Sequence, residues 1–447
     1  MAKKNLQVKV ATVILWDQEV GAVAWDAERG LGQFEFSSEF LLRGFDIAPF
    51  TLPLRSGVFS FPELNPKTFH GLPGFLADTL PDRYGNQLID LWLRSQGRSV
   101  EDFSPVERLC YLGTRGMGAL EFKPALMSAG KAEPIEVDEL TKLAHEIVKK
   151  RKLLQVKFKG KKAQALNAII RVGTSAGGNR AKAIIAWNPK TQEVLSGQVK
   201  APNGFEPWIL KFDGVNDAAL GDPQGFGRIE YAYHKMAIEA GVTMSACQLL
   251  EEGGRAHFMT RRFDRAADGQ KTHMQSLCAM GHYDFNASGE YGYEQALDVI
   301  QRLNLGHESL KELYRRMVFN VVARNQDDHT RNIAFLMNDK GQWSLSPAFD
   351  VIWSYNPTGK WTNRHQMTVH GKRDEFTRDD LLAVTEQYGI KGAKEILDEV
   401  TSAVSKWLQF AKEAGVASDL RREIAKTHRL KLSQGKAKKR PKTKPLG

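Results

Sequence analysis

The chain has 447 residues, a formal net charge of +11, and hydrophobic and charged fractions of 42% and 26%, ordinary for a globular protein of two or three domains. Three widely spaced cysteines, Cys110, Cys247 and Cys278, fit neither a disulfide framework nor a zinc site. No apolar run can span a bilayer and the first residues lack a secretory apolar core, so a reducing cytoplasm is the expected compartment. The charge is concentrated. Residues 149–162 and 429–447 each hold eight Lys or Arg and no acid, and without these two strips the remainder falls to −5. The terminal strip reads as a solvated tail, with weak direct contact to nucleic acid as the alternative.

Residues 6–16 and 20–25 alternate apolar and polar positions around Asp17-Gln18-Glu19, the pattern of a hairpin. Short apolar stretches broken by Pro and Gly continue through residues 32–62, so a small β-rich N-terminal module is predicted. Asn86 to Arg94 reads as a helix. Gly113-Thr-Arg-Gly-Met-Gly118 reads as a structural turn leading into a strand. Val137, Leu140, Leu143, Ala144, Ile147 and Val148 recur at helical spacing, and Lys149 to Lys152 suit that helix's C-terminus.

A glycine loop follows, Gly173-Thr-Ser-Ala-Gly-Gly-Asn-Arg-Ala-Lys182, running into an apolar strand at Ala183–Trp187. Small residues let backbone N–H groups close around an anion, and Lys182 can reach a phosphate; a plain hairpin turn is the alternative. It is not a Walker A loop, because no Gly-Lys-Ser/Thr closes it. Lys211 then interrupts the apolar strand Trp208–Phe212. Such a lysine either points to solvent or binds phosphates beside a helix glutamate. Glu230, in the first turn of a helix over Arg228–Ala240, is the candidate partner. Residues 256–265 read as a strand running into a charged turn, the form of an adenine-binding hinge. Helices are predicted over Tyr293–Leu303, Glu308–Ala323, Arg378–Tyr388, Ala393–Gly415 and Ala417–Lys431.

Within the helical half, Asp327, Asp328, His329 and Asn332 precede the apolar run Ile333–Met337. Asn338-Asp-Lys-Gly341 is a hairpin turn, and the strand Trp343–Leu345 delivers Asp350 just past Pro347. Asp327, Asn332 and Asp350 can therefore converge at one end of a hairpin. Three oxygen-bearing side chains at one point suit a hard divalent cation and a hydroxyl awaiting deprotonation. Protein kinases space a base Asp, an Asn five residues on and a metal-binding Asp in this way.

These motifs together resemble the HipA family of serine/threonine protein kinases, the toxin half of HipBA-type toxin–antitoxin pairs. The family's Asn-x-Asp-Asp-His-x-x-Asn-x-x-Phe-Leu signature is met at Asn325–Leu336, and Leu-Ser-Pro-Ala-Tyr/Phe-Asp at Leu345–Asp350. The loop Gly173–Lys182, Arg-Phe-Asp-Arg at 262–265, Leu-Pro-Asp at 80–82 and Gly-Ala-Leu at 118–120 follow the family's order. Ala176 and Ala181 stand where many members have proline.

The resemblance implies an α+β, bilobal protein-kinase-like fold with a β-rich N-terminal module and a mainly helical C-terminal lobe. Its expected parts are residues 1–130, a nucleotide-binding lobe 131–265, a catalytic lobe 266–430 and a basic tail 431–447. It implies ATP and Mg²⁺ as cofactors. Asp327 would deprotonate the acceptor hydroxyl, and Asn332 and Asp350 would hold the metal. Lys211 would bind phosphates beneath the backbone of Ala176, Gly177, Gly178, Asn179, Arg180, Ala181 and Lys182. Arg261 to Phe263 would form the hinge. His329 is placed at the cofactor, although bracing the loop, with Asp328, is the other reading. Ser175 matches the autophosphorylated serine, with Thr174 as fallback. The implied partners are a protein substrate, a translation component such as an aminoacyl-tRNA synthetase, and a helix-turn-helix antitoxin of HipB type through which DNA is reached indirectly. A DNA-associated repressor subunit and a small-molecule kinase are the competing readings.

Overall fold

Alternation along the first strands builds a hairpin. β1 (Val10–Leu15) and β2 (Gln18–Asp26) pair antiparallel, and Trp16 and Asp17 turn the chain at φ of 48° and 62°. This computed structural model describes residues 7–127, 132–149, 168–170, 172–173, 180–215 and 225–434. Thr174, Ser175, Ala176, Gly177, Gly178 and Asn179 lie outside the described residues, as do most of the basic strip after Lys149 and the tail from 435. With β3 (Leu31–Phe36), β4 (Val58–Phe59) and β5 (Leu120–Lys123), the hairpin forms a sheet of order β4-β3-β2-β1-β5. Val13, Leu15, Val20, Val23 and Phe34 turn inward from it and are buried against Phe75 and Leu109.

The helix Arg83–Ser95 starts three residues before the expected Asn86, because the Asp82 side chain caps it by accepting from the Gly85 N–H at 2.7 Å. Its buried Leu88 and Leu91 join Leu140, Ala144 and Ile147 of the helix Val137–Lys149 in a second core. The cores therefore do not part at residue 130. That second core backs a sheet of order β7-β6-β8-β10-β9, built from β6 (Lys182–Trp187), β7 (Val194–Ser196), β8 (Glu206–Lys211), β9 (Cys247–Glu252) and β10 (Arg255–Arg261).

The helix Phe226–Glu239 crosses this sheet at close range. A Cβ at Gly227 would meet the Ala256 carbonyl oxygen at 2.1 Å, so only glycine permits the approach. The third sheet, β11 (His273–Ser276), β12 (Ala334–Met337) and β13 (Trp343–Leu345), floors the helical lobe. Around it stand the helices Tyr293–Arg302, Gly306–Val322 and Arg378–Tyr388. The helix expected over 393–415 is broken into Ala393–Ser405 and Trp407–Glu413, since the Lys406 N–H bonds Ala403 in a tighter turn. The last helix is Ser418–Thr427. The architecture is α+β, with a β-rich N-terminal module and a mainly helical C-terminal lobe. No helix among the described residues is long and apolar enough to cross a membrane.

Candidate active site

Lys211 ends β8, and Glu230 sits in the opening turns of the helix Phe226–Glu239. The close approach at Gly227 brings them together: Lys211 Nζ donates to Glu230 Oε1 at 2.5 Å. The same ammonium donates to Asp350 Oδ1, across 139 residues of sequence. Glu230 is 2% exposed, so its charge is desolvated and relies on Lys211 and on Arg180, whose Nη1 lies 3.7 Å away. Burial by itself would lower the Lys211 ammonium, but Asp350 and Glu230 hold it above the ordinary lysine range.

Asp350 arrives as the hairpin predicts. Gly341 takes φ of 76° in the turn, Asn338 Oδ1 accepts from the Lys340 and Gln342 N–H groups, and β12 pairs with β13. Asp350 itself has φ of 52°, a left-handed conformation that Asp tolerates better than most residues. Burial pushes its carboxyl up, but Lys211, Lys182 and Arg180 outweigh this and hold it down at about 2.

Asp327 and Asn332 lie on the loop before β12. The Asn332 amide donates to the Asp327 carbonyl at 2.8 Å, which sets the loop's curve and leaves the amide oxygen available. One carboxylate and one amide oxygen fit a magnesium ion, which takes few protein ligands and completes its shell with phosphate and water. Asp328 does different work. It is 3% exposed and accepts from the Tyr293 hydroxyl at 2.9 Å, His365 Nδ1–H at 2.8 Å and the Gln366 N–H at 2.8 Å. Asp328 thus braces the loop. His329 Nε2 lies 3.8 Å from Asp327 Oδ1, and its ring lies between Phe285 and Trp361.

Lys182, expected to reach a phosphate, here pairs with a carboxylate of the N-terminal part of the chain. It is directly opposite Lys211 across β6 and β8, on the same sheet face, yet is 2% exposed and pairs with Asp82 at 3.2 Å. Two lysines side by side need separate counter-ions, and Asp82 serves the second. Burial pushes the Asp82 carboxyl up even with Lys182 beside it. Ala181 is buried, and Arg180 packs over the Phe226 ring.

At the expected hinge, the Arg261 and Arg262 N–H groups bond the carbonyls of Ala246 and Pro207. The Arg261 side chain is 45% exposed beside Glu206, while the Phe263 ring packs on Phe349, next to Asp350. Arg262 is held instead by Asp264 in a two-pronged pair at 2.8 and 2.7 Å. Asp264 also accepts the Gly118 N–H at 2.8 Å, and Arg265 donates to the carbonyls of Gly116 and Gly118. The glycine turn at 113–118 therefore joins the N-terminal module to residues 262–265.

Sequence reasoning missed Trp361, whose indole N–H donates to Asp327 Oδ1 at 2.6 Å, and it missed Asp82 as the partner of Lys182. No local spacing announces either contact.

Two family models match the chain, that of the HipA N-terminal domain over residues 11–123 and that of the HipA-like C-terminal domain over residues 174–408. Among solved structures the chain is similar to one from the Shewanella oneidensis MR-1 toxin–antitoxin complex of HipA, HipB and operator DNA. The TM-score is 0.61 at 17% identity, covering 93% of this chain and 94% of that one, which establishes the fold. The Helicobacter pylori proinflammatory kinase CtkA matches at a TM-score of 0.33 and 13% identity, over 50% of this chain and 85% of that one, too low to carry an argument. No curated protein matches.

Proposed function

The chain belongs to the HipA family, and from that premise we propose that it is an ATP- and Mg²⁺-dependent serine/threonine protein kinase, the toxin of a toxin–antitoxin pair. The observation that carries this reading is the Lys211 ammonium held between Glu230 and Asp350; Asp327 and Asn332 sit on the loop before β12, at the kinase spacing. Phosphoryl transfer needs a positioned hydroxyl and neutralised phosphate charge more than it needs covalent chemistry.

Lys211 and the glycine loop would hold ATP, and Asn332 and Asp350 would hold Mg²⁺, which supplies charge neutralisation at the phosphates when bound. With Asp350 among the metal's ligands, Glu230 would remain the anchor of Lys211. Asp327 takes the proton of the acceptor hydroxyl as that oxygen bonds to the γ-phosphorus and the bond to the ADP oxygen breaks. Ser175, or failing it Thr174, is the proposed autophosphorylation site. The proposed external substrate is a translation component such as an aminoacyl-tRNA synthetase. An antitoxin of HipB type is the proposed partner, because the similar solved chain belongs to a complex with HipB and operator DNA. DNA contact would be indirect, and the compartment cytoplasmic.

Intact mass before and after Mg-ATP, with peptide mapping across residues 171–183, tests the reading. Label on Ser175 favours a protein kinase over a small-molecule kinase. Asp327→Asn is expected to lower transfer from γ-³²P-ATP by about 10²-fold or more while ATP still binds. Transfer at the wild-type rate by this variant ends the proposal.

A further inference from the structure

A carboxylate acting as a base has two acceptor oxygens, and only a fixed orientation keeps one of them on the incoming hydroxyl. Asp327 is 40% exposed at its side chain, so packing alone does not fix it. Its Oδ1 accepts the indole N–H of Trp361 at 2.6 Å, from a segment 34 residues further along the chain. Among the described residues no hydrogen bond engages Oδ2.

The segment that carries Trp361 is itself secured. The Asn356 N–H bonds the Thr362 carbonyl, and Asn356 Oδ1 accepts from Thr358 N–H and Oγ1–H. Gln366 Nε2 donates to the Trp361 carbonyl at 2.5 Å and to the Arg364 carbonyl at 3.0 Å. The Gln366 N–H and His365 both bond Asp328, the immediate neighbour of Asp327. Arg429 donates to His365 Nε2 at 2.9 Å, which leaves the His365 proton on Nδ1, facing Asp328. The loop bearing Asp327 and the loop bearing Trp361 are thus bolted together at a buried carboxylate one residue from the base.

We propose that Trp361 is a positioning residue for Asp327: its indole N–H holds Oδ1, so that Oδ2 is presented to the acceptor hydroxyl. This rests on the kinase reading above. An indole N–H only donates and does not titrate, so Trp361 orients the base and takes no part in moving the proton. The opposing idea is a gate, in which Trp361 occupies the acceptor's place and must leave. The two differ in sign when the N–H is removed.

The test uses the full chain and measures label transfer from γ-³²P-ATP to the chain itself across ATP concentrations. Wild type is compared with Trp361→Phe, Trp361→Leu, Trp361→His and Asp327→Asn, with melting temperature and ATP binding recorded for each. Trp361→Phe keeps an aromatic ring and loses the donor. It is expected to lower the saturating rate about tenfold or more, with the KM for ATP within about twofold of wild type. Trp361→His retains a ring N–H and is expected to keep more of the rate than Trp361→Phe. Should Trp361→Phe lose its fold, Trp361→Leu serves as the donor-less variant. A donor-less variant at or above the wild-type rate, or a Trp361→His variant as slow as Trp361→Phe, overturns the proposal. If Asp327→Asn transfers at the wild-type rate, the kinase reading fails and this inference falls with it.

Discussion

Asp350 concentrates the site's electrostatics in one side chain. Its carboxyl is held at about 2, below the ordinary 3.8, against the upward push of burial. Because the folded value is the lower one, its pairing stabilises the fold fully above about pH 4 and is lost as pH falls towards 2. Lys211→Met removes the leading counter-charge, so the Asp350 titration is expected to move up in a carboxyl-detected NMR series. The same variant leaves Glu230, 2% exposed, without its closest partner. Orphaning a buried charge costs about 3–5 kcal/mol, which a urea midpoint would read. An unchanged midpoint would mean that Arg180, 3.7 Å from Glu230, suffices.

Among the elements, the joint between the N-terminal module and the segment 262–265 depends on Asp264. Its side chain is fully buried, and burial would raise its carboxyl, but Arg262 and Arg265 hold it well below the usual range. Gly118 takes φ of 70° to present its N–H to that carboxylate, and a Cβ there would meet the Met274 nitrogen at 2.9 Å. Asp264→Asn keeps the shape and removes the charge, leaving Arg262 and Arg265 facing an uncharged amide. A loss of about 3–5 kcal/mol in denaturant unfolding is expected, and a loss under about 1 kcal/mol would show the joint to be incidental.

Over the whole molecule, burial lowers His257 to about 4, His273 to about 3 and His428 to about 3. They sit in different regions: His257 accepts the Asp213 N–H beside the second sheet, His273 lies in the third, and His428 packs on Tyr233 and Trp407. In the unfolded chain these rings take up protons near pH 6.5, while in the folded protein they stay neutral down to about 4. Stability is therefore complete above pH 6.5 and declines as pH falls through that window. A melting temperature several degrees lower at pH 5 than at pH 7.5 is the expected calorimetric result, before most carboxylates titrate. Equal melting temperatures would contradict it.

What the sequence determined by itself was the short-range part of the site. The Asn338–Gly341 turn carries its own backbone preferences, so the hairpin from Asp327 to Asp350 could be drawn from residue types alone, as could the lysine inside β8. The helix Val137–Lys149 was equally legible, because apolar periodicity is written in neighbouring residues. The partners were not. Lys211 finds Asp350 across 139 residues, Lys182 finds Asp82 across 100, and Asp264 finds Gly118 across 146. Which charges pair, and that Trp361 reaches Asp327, depends on how the sheets and the helices pack, and packing sums many contacts that no local pattern records.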